Sequence, residues 1–225
     1  MQIITSQNPI KYAEALENMH KITDKIISGE MPNTIWFLEH EPIYTVGYTT
    51  YKEFYSQYGE SINGIPLVCT ERGGKITYHG PGQRICYLMI NLKNIYGEVN
   101  LRKFLDDIHL AIINTLKEFG VEGIKDDEYP GVWVKNNEML SKIAAIGMKI
   151  RKGVSYHGVA INVNNNMKPF EIIKPCGIVD SNRNTISLSK ISKKTVSIET
   201  FDEILQYMLK KFFVFEKTFE MKKIR

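Results

Sequence analysis

The chain is poor in cysteine: Cys69, Cys86 and Cys176 are its 3 among 225 residues. Three thiols cannot all pair with one another, so a disulfide scaffold is excluded and a reducing compartment is expected. No C-x-x-C or H-x-x-x-H pair occurs, and no metal is expected. The first eleven residues lack a basic cluster followed by an apolar stretch, and no run approaches the roughly 18 apolar residues needed to cross a bilayer. A cytoplasmic protein without membrane association is expected. Charge of one sign is also scarce: 29 Lys and Arg face 25 Asp and Glu, a net +4, too weak for nucleic acid and compatible with acidic protein partners. Lysine pairs at 193–194, 210–211 and 222–223 read as solvated faces. Internal repeats, low-complexity tracts and linkers are missing too, the nearest candidates being loops at 126–131 and 164–169. With 43% hydrophobic content, the reading is a single domain over 1–225.

Regular periodicity is present. Apolar Ile10, Ala13, Leu16, Met19, Ile22 and Ile26 place a helix over 8–29, with Asn8 as N-cap, Pro9 in the first turn and Gly29 past the end. Leu101, Phe104, Leu105, Ile108, Ala111, Ile112, Leu116 and Phe119 predict a second over 100–120, and a third covers 197–213. β-rich runs lie at 35–38, 43–46, 65–69, 85–92, 132–135, 140–150 and 154–163, with a last strand at 214–219. Strand runs cluster with short gaps, so the fold class is α/β of the α+β kind. The expected sheet is mixed, largely antiparallel and flanked by helices.

Four segments carry chemistry. Arg72, Gly73, Gly74, Lys75, Ile76, Thr77, Tyr78 and His79 run on into Gly80-Pro81-Gly82-Gln83, a glycine-rich stretch that allows close backbone approach and offers polar groups to a ligand. The alternative is a glycine-rich hairpin with His79 hydrogen-bonded in the core. In the stretch 141–147, a strand reading puts Lys142 on one face with Ala144 and Ile146, an apolar side where an amine is suited to taking up protons. The alternative there is an edge lysine that snorkels to water. Pro175 and Gly177 pin Cys176 in a turn that can aim its sulfur as a nucleophile, the alternative being a small buried hydrophobe. Cys69 and Cys86 sit inside apolar strand runs and read as core. On 157–163, small Gly158 and Ala160 leave room for a ligand against the backbone.

Taken in order, the stretches 72–83, 141–147, 157–163 and 174–178 resemble the lipoyl(octanoyl) transferase family. Similarity extends to the opening helix, to 39–47 and to 130–133. The resemblance implies a fold related to the catalytic domains of biotin and lipoate protein ligases. It implies Cys176 as an acyl-thioester nucleophile, Lys142 as the residue that activates it, and an acyl site lined by Arg72 to His79, by Ala145, Ile146 and Gly147, and by Gly158, Val159 and Ala160. Tyr78, Ile146, Val159 and Ala160 would wall the acyl tail. One departure is Arg84, where an aliphatic residue is expected.

The implied reaction moves an octanoyl group from octanoyl-acyl carrier protein to a lysine of lipoyl domains, those of 2-oxoacid dehydrogenase complexes and of the glycine cleavage H protein, with no cofactor. Exchange of one thioester for another needs no ATP. The rival readings are an ATP-dependent lipoate or biotin ligase, and a noncatalytic module that binds acyl carrier or lipoyl domains.

Overall fold

The computed structural model describes residues 1–126, 129–173 and 183–213. From the N-terminus the elements run β1 (Gln2–Thr5), α1 (Tyr12–Ser28), β2 (Thr34–Leu38), β3 (Ile43–Gly47), α2 (Tyr51–Tyr58), β4 (Ser61–Ile62), β5 (Ile65–Thr70), β6 (Thr77–His79) and β7 (Gln83–Met89). They continue with α3 (Leu92–Tyr96), α4 (Leu101–Glu118), β8 (Gly123–Lys125), β9 (Val132–Asn136), β10 (Met139–Arg151), β11 (Val154–Asn162), α5 (Lys168–Ile172), β12 (Arg183–Thr185), α6 (Leu188–Ser192) and α7 (Ile198–Phe213).

A large sheet has the order β1-β2-β7-β11-β10-β9-β8, with β12 added beside β10. Its pairs are antiparallel except β1 with β2 and β10 with β12. Every residue of β2, β7 and β11 is buried, as expected of strands covered on both faces. Ala15, Met19 and Ile26 of α1 pack on one face against Trp36, Ile85, Tyr87 and Ala160. Helices α4 and α7 cover the other through Phe104, Ile108, Ile112, Phe201 and Leu205, which meet Phe37, Cys86, Leu88, Val159 and Ile161. A small sheet of order β4-β5-β3-β6 has its own apolar cluster around Tyr44, Val46, Phe54, Leu67, Ile76 and Tyr78. None of the helices among the described residues is long and apolar enough to cross a membrane.

The long helices follow the sequence periodicity, with capping details that refine it. Helix α1 starts later than its apolar period because Ile10 is drawn into a bridge with His40, its N–H donating to the Glu39 carbonyl at 2.8 Å. Asn8 and Pro9 therefore precede the helix instead of capping it, while Gly29 ends it in the left-handed region at φ 84°. Asn100 caps α4 by accepting the Lys103 N–H at 3.0 Å, and Ser197 caps α7 by accepting that of Thr200 at 3.1 Å. The strand expected over 85–92 stops at Met89, since Asn91 caps α3 by accepting the Asn94 N–H at 3.3 Å. The expected strand at 214–219 lies outside the described residues.

Two side chains depart from expectation. Cys86 is in the core, but Cys69 is exposed; β5 belongs to the small sheet, whose apolar cluster takes Leu67 and leaves Cys69 outside it. Arg84 replaces an expected aliphatic residue and is only 3% exposed. Its Nε lies 2.8 Å from Asp202 Oδ1 on α7, and its Nη2 is 3.8 Å from Glu39 Oε1. The arginine thus ties the central strand to the last helix by a buried charge pair.

Burial pushes the Asp202 carboxyl up to about 6, against the lowering pull of Arg84. Because this folded value exceeds the ordinary 3.8, the folded chain holds the proton more tightly, and the contribution of Asp202 to stability declines as pH rises through about 6. Substituting Arg84→Met leaves the carboxylate without its partner and should cost about 3–5 kcal/mol at pH 8. The deficit should shrink at pH 5, where Asp202 is protonated. Urea unfolding at the two pH values checks this, and an equal deficit at both would rule out the charge as the cause.

Candidate active site

The site begins with an irregularity in β10. Pairing of β10 with β9 shifts register between Lys142 and Ala144, a bulge that turns one side chain to the other face. Ile143 and Ala144 both join the cluster under α4 and α7, while Lys142 and Ala145 together line a pocket on the α1 side. The expected sharing of a face by Lys142, Ala144 and Ile146 is therefore corrected: the bulge sends Lys142 to the side of Ala145.

Register then fixes what lies beside the lysine. Asn162 pairs with Gln83, Ala160 with Ile85 and Gly158 with Tyr87 across β11 and β7, while Ala145 pairs with Ala160 and Gly147 with Gly158 across β10 and β11. Three rows result: Lys142 with Asn162 and Gln83, which line one pocket, then the cross-strand rows led by Ala145 and by Gly147. The second and third rows have only Ala or Gly on the two middle strands, so the α1 face of the sheet is hollowed there. A Cβ at Gly158 would lie 1.9 Å from the Cys86 carbonyl oxygen, so no larger residue fits that backbone.

Over this hollow lies the loop 71–76, which joins β5 to β6. A Cβ at Gly47 would stand 2.2 Å from the Gly74 carbonyl oxygen, so the loop is pressed onto β3. Arg72 clamps it: Nη2 donates to the Thr45 carbonyl at 2.7 Å and to the Lys75 carbonyl at 3.0 Å, and Nη1 donates to that of Gly73 at 2.8 Å. Arg72 Nε and Nη2 also donate to Thr45 Oγ1 at 3.2 and 2.8 Å. Roof and floor enclose a cleft of about 550 Å³ including its open mouth.

Of the expected acyl-site residues, Arg72, Gly73, Gly74, Lys75, Thr77, His79, Ala145, Ile146, Gly147, Gly158, Val159 and Ala160 border this cleft. Ile76 and Tyr78 do not; they alternate with Thr77 and His79 and turn into the apolar cluster of the small sheet. Tyr78 thus packs on Tyr44 and Phe170, away from the place expected of it. Val159 and Ile146 border the cleft while their side chains pack toward α4 and α7. Tyr12, Ile85, Tyr87 and His157 complete the lining and were not foreseen.

Two buried histidines, His79 and His157, line the cleft, and a third, His40, stands beside His79 with ring centroids 5.8 Å apart. Gln83 Nε2 donates to the Tyr78 carbonyl at 3.1 Å and to Asn162 Oδ1 at 2.9 Å, so its Oε1 accepts from His79 Nδ1 at 2.7 Å. His79 Nε2 is left to accept the Thr45 hydroxyl at 3.2 Å, which requires neutral imidazole. Burial, aided by His40 and Arg72, holds His79 well below the usual imidazole range. His40 donates through Nδ1 to the Ile10 carbonyl at 3.0 Å and accepts the Tyr87 hydroxyl at 2.9 Å, and burial pushes it down to about 4. His157 is pushed down to about 3, by burial first and then by Arg72. All three are uncharged at neutral pH.

Lys142, 2% exposed, occupies a second pocket that shares Thr77, Ala145 and Ala160 with the cleft and adds Gln83, Asn162, Phe170 and Thr185. Its Nζ stands 4.7 Å from the centre of the Trp133 ring, within cation–π range, and has no hydrogen-bond partner among the described residues. Cys176 lies outside the described residues. The described chain runs on from Phe170 to Ile173, both packed in the small-sheet cluster, and resumes at Arg183, and Thr185 pairs with Lys142 itself.

Residues 11–211 match the sequence model of a family described as lipoyl protein ligase A/B catalytic domain. An octanoyltransferase of Anaplasma phagocytophilum is 38% identical over 89% of this chain and 93% of its own length, and one of Rickettsia bellii is 37% identical over 95% and 99%. Among solved structures, a bipartite lipoate protein ligase from Thermoplasma acidophilum, studied with its E2 lipoyl domain, superposes with a TM-score of 0.64 at 15% identity, covering 94% of this chain and 82% of that one. A biotin protein ligase from Aquifex aeolicus gives 0.53 at 12% identity, covering 95% and 69%. The fold is that of these ligases.

Thr45 anchors both Arg72 and His79. Substituting Thr45→Val keeps the shape but removes the hydroxyl from both, and should cost about 1–3 kcal/mol in urea unfolding. Trypsin should then cut after Arg72 and Lys75 faster than in the parent chain. Unchanged stability and unchanged cleavage would show that the loop is held by other contacts.

Proposed function

The chain belongs to the lipoyl protein ligase A/B catalytic domain family, and from that premise we propose that it is an octanoyltransferase acting as a single catalytic domain. Octanoyl-acyl carrier protein is the donor, Cys176 carries the acyl group as a thioester, and the acceptor is a lysine of a lipoyl domain. Lipoyl domains of 2-oxoacid dehydrogenase complexes and the glycine cleavage H protein are the acceptors this chemistry serves. The observation that carries the reading is the buried Lys142 amine at the end of an apolar trough, with the chain toward Cys176 running on from Phe170 in the same pocket.

Attack of the thiolate on the donor carbonyl forms the Cys176 thioester and expels the carrier thiolate, an exchange of like for like that needs no nucleotide. Lys142 favours the thiolate through its charge or takes the thiol proton, and its ammonium then protonates the departing carrier thiolate, which leaves the amine neutral for the second half. In the second half, the acceptor lysine, a group of pKa about 10.4, gives up a proton before its amine attacks the thioester, and Lys142 is placed to receive it. The amide forms, the Cys176 thiolate leaves, and amide stability makes the step one-way. Burial of the tail at about 0.8 kcal/mol per methylene supplies on the order of 5 kcal/mol of binding.

Mixed with octanoyl-acyl carrier protein, without acceptor or ATP, the purified chain should gain one octanoyl mass that hydroxylamine removes and that maps to Cys176. Modification at Cys69 or Cys86, or a requirement for ATP, would overturn the assignment in favour of an adenylate-forming ligase.

Arginine keeps the charge of Lys142 but gives up no proton near neutral pH. If Lys142 acts as a proton acceptor, Lys142→Arg should slow both half-reactions by about 100-fold or more, with partial recovery as pH rises and solvent deprotonates thiol and amine. Rates and a pH profile matching the parent enzyme would remove Lys142 from the mechanism.

A further inference from the structure

We propose that His157 and Tyr87 form the end stop of the trough and set the length of acyl chain this enzyme accepts. The proposal rests on the octanoyl-transfer reading above, and it assigns to these two side chains the specificity that the reading leaves open.

Strand register supplies the geometry. The Ala145 and Gly147 rows follow one another along β10 and β11, and Lys142 precedes them on β10, in a pocket shared with Asn162 and Gln83. Apart from the bulge, each row is two residues from the next, about 7 Å in a strand. A carbonyl held beside Lys142 therefore sends its tail over Ala145 and Ala160, then over Gly147 and Gly158. Beyond this glycine pair the hollow ends, because the next residue of β11 is His157.

His157 is not an ordinary strand residue. Its φ is +59°, a left-handed conformation that costs a non-glycine residue energy and is retained where the surroundings impose it. The twist brings its ring onto the side of its neighbour Tyr156, with ring centroids 5.2 Å apart and planes 29° from parallel. Tyr87, on the adjacent strand, meets it edge-on at 6.2 Å. The stop is braced from behind, since the Tyr156 hydroxyl donates to Glu71 Oε2 at 3.2 Å and Glu71 Oε1 pairs with His20 Nε2 at 2.7 Å. His157 is 2% exposed and borders the cleft. Its Nε2 has no hydrogen-bond partner among the described residues, and the neutral ring offers a chain terminus a flat, uncharged surface.

Two substitutions move the stop in opposite directions. Gly147→Ala adds a methyl group to the third row, where the nearest atoms, Arg72 Cδ and the Gly73 carbonyl oxygen, stand at 3.4 and 3.5 Å, so the backbone accepts it. His157→Gly removes the ring and suits the left-handed backbone. The measurement is kcat/KM for hexanoyl-, octanoyl-, decanoyl- and dodecanoyl-acyl carrier protein, with folding of each variant followed by thermal melting. One methylene in an apolar pocket discriminates by roughly 10–200-fold. Gly147→Ala should lower the octanoyl-to-hexanoyl ratio by about tenfold or more, and His157→Gly should raise the decanoyl-to-octanoyl ratio by a similar factor.

If the parent enzyme accepts no acyl-carrier donor, the functional reading fails. If it does and the length profile stays fixed in both folded variants, the end stop alone is overturned. A variant that loses all chain lengths in equal proportion also overturns the stop, because a general structural defect leaves the ratios unmoved. Should His157→Gly fail to fold, His157→Asn, a smaller side chain that also tolerates the left-handed backbone, should raise the decanoyl-to-octanoyl ratio, and an unmoved ratio there overturns the stop.

Discussion

The structure depends on two places where backbone meets backbone with no room for a side chain. At Gly158 the central strand pair closes until a Cβ would overlap the Cys86 carbonyl, and at Gly47 the small sheet closes on the Gly74 carbonyl in the same way. The first contact fixes the floor of the cleft and the second its roof. Between them the floor has almost no side-chain volume, because Ala145, Gly147, Gly158 and Ala160 share one face of adjacent strands. A cleft made this way is as rigid as the sheet, since its width is set by hydrogen-bonded strand spacing instead of by rotamers.

An apolar trough walled by polar residues is stable only when those residues satisfy one another. That condition explains the interlocking of Thr45, Arg72, His79, Gln83 and Asn162. Arg72 spends its donors on Thr45 and on loop carbonyls, so the guanidinium that looks like a ligand-binding group also serves as the clamp of the roof. Gln83 is oriented by two acceptors, and its remaining oxygen decides the tautomer of His79. The three histidines stay neutral because burial penalises the cation and because Arg72 opposes charge on His79 and His157. His40 and His79 have both ring nitrogens paired, whereas His157 Nε2 has no partner among the described residues.

Much of this was legible in the residues. The glycine-rich loop, the Ser-Lys segment and the His-Gly strand announced themselves by composition, and the helical stripes placed α1, α4 and α7 to within a few residues. Tyr12 was hidden because α1 reads as an ordinary amphipathic helix, in which one more buried residue carries no distinct signal. Ile85 and Tyr87 were hidden for the opposite reason: β7 is buried on both faces, so no alternation of polarity separates the cleft side from the Cys86 side. The inward turn of Tyr78 was available from period-two parity with His79. Arg84 was read as an anomaly because its partners, Asp202 and Glu39, lie far from it in sequence.

The bulge in β10 had no sequence signal, and it matters most for the chemistry. Regular alternation from the cleft-facing Ala145 and Gly147 would put residue 143 in the cleft and Lys142 under α4 and α7, among Phe104, Ile108 and Phe201. An ammonium there would be desolvated among apolar side chains, a cost of several kcal/mol. One residue of slippage exchanges the two: Ile143 takes the apolar site, and Lys142 takes a position beside Trp133, whose ring face attracts a cation. The same slip sets the amine in line with the trough, at the end opposite His157. Core packing and the placement of the Lys142 amine are thus satisfied by one irregularity, so restoring a regular strand would sacrifice both together.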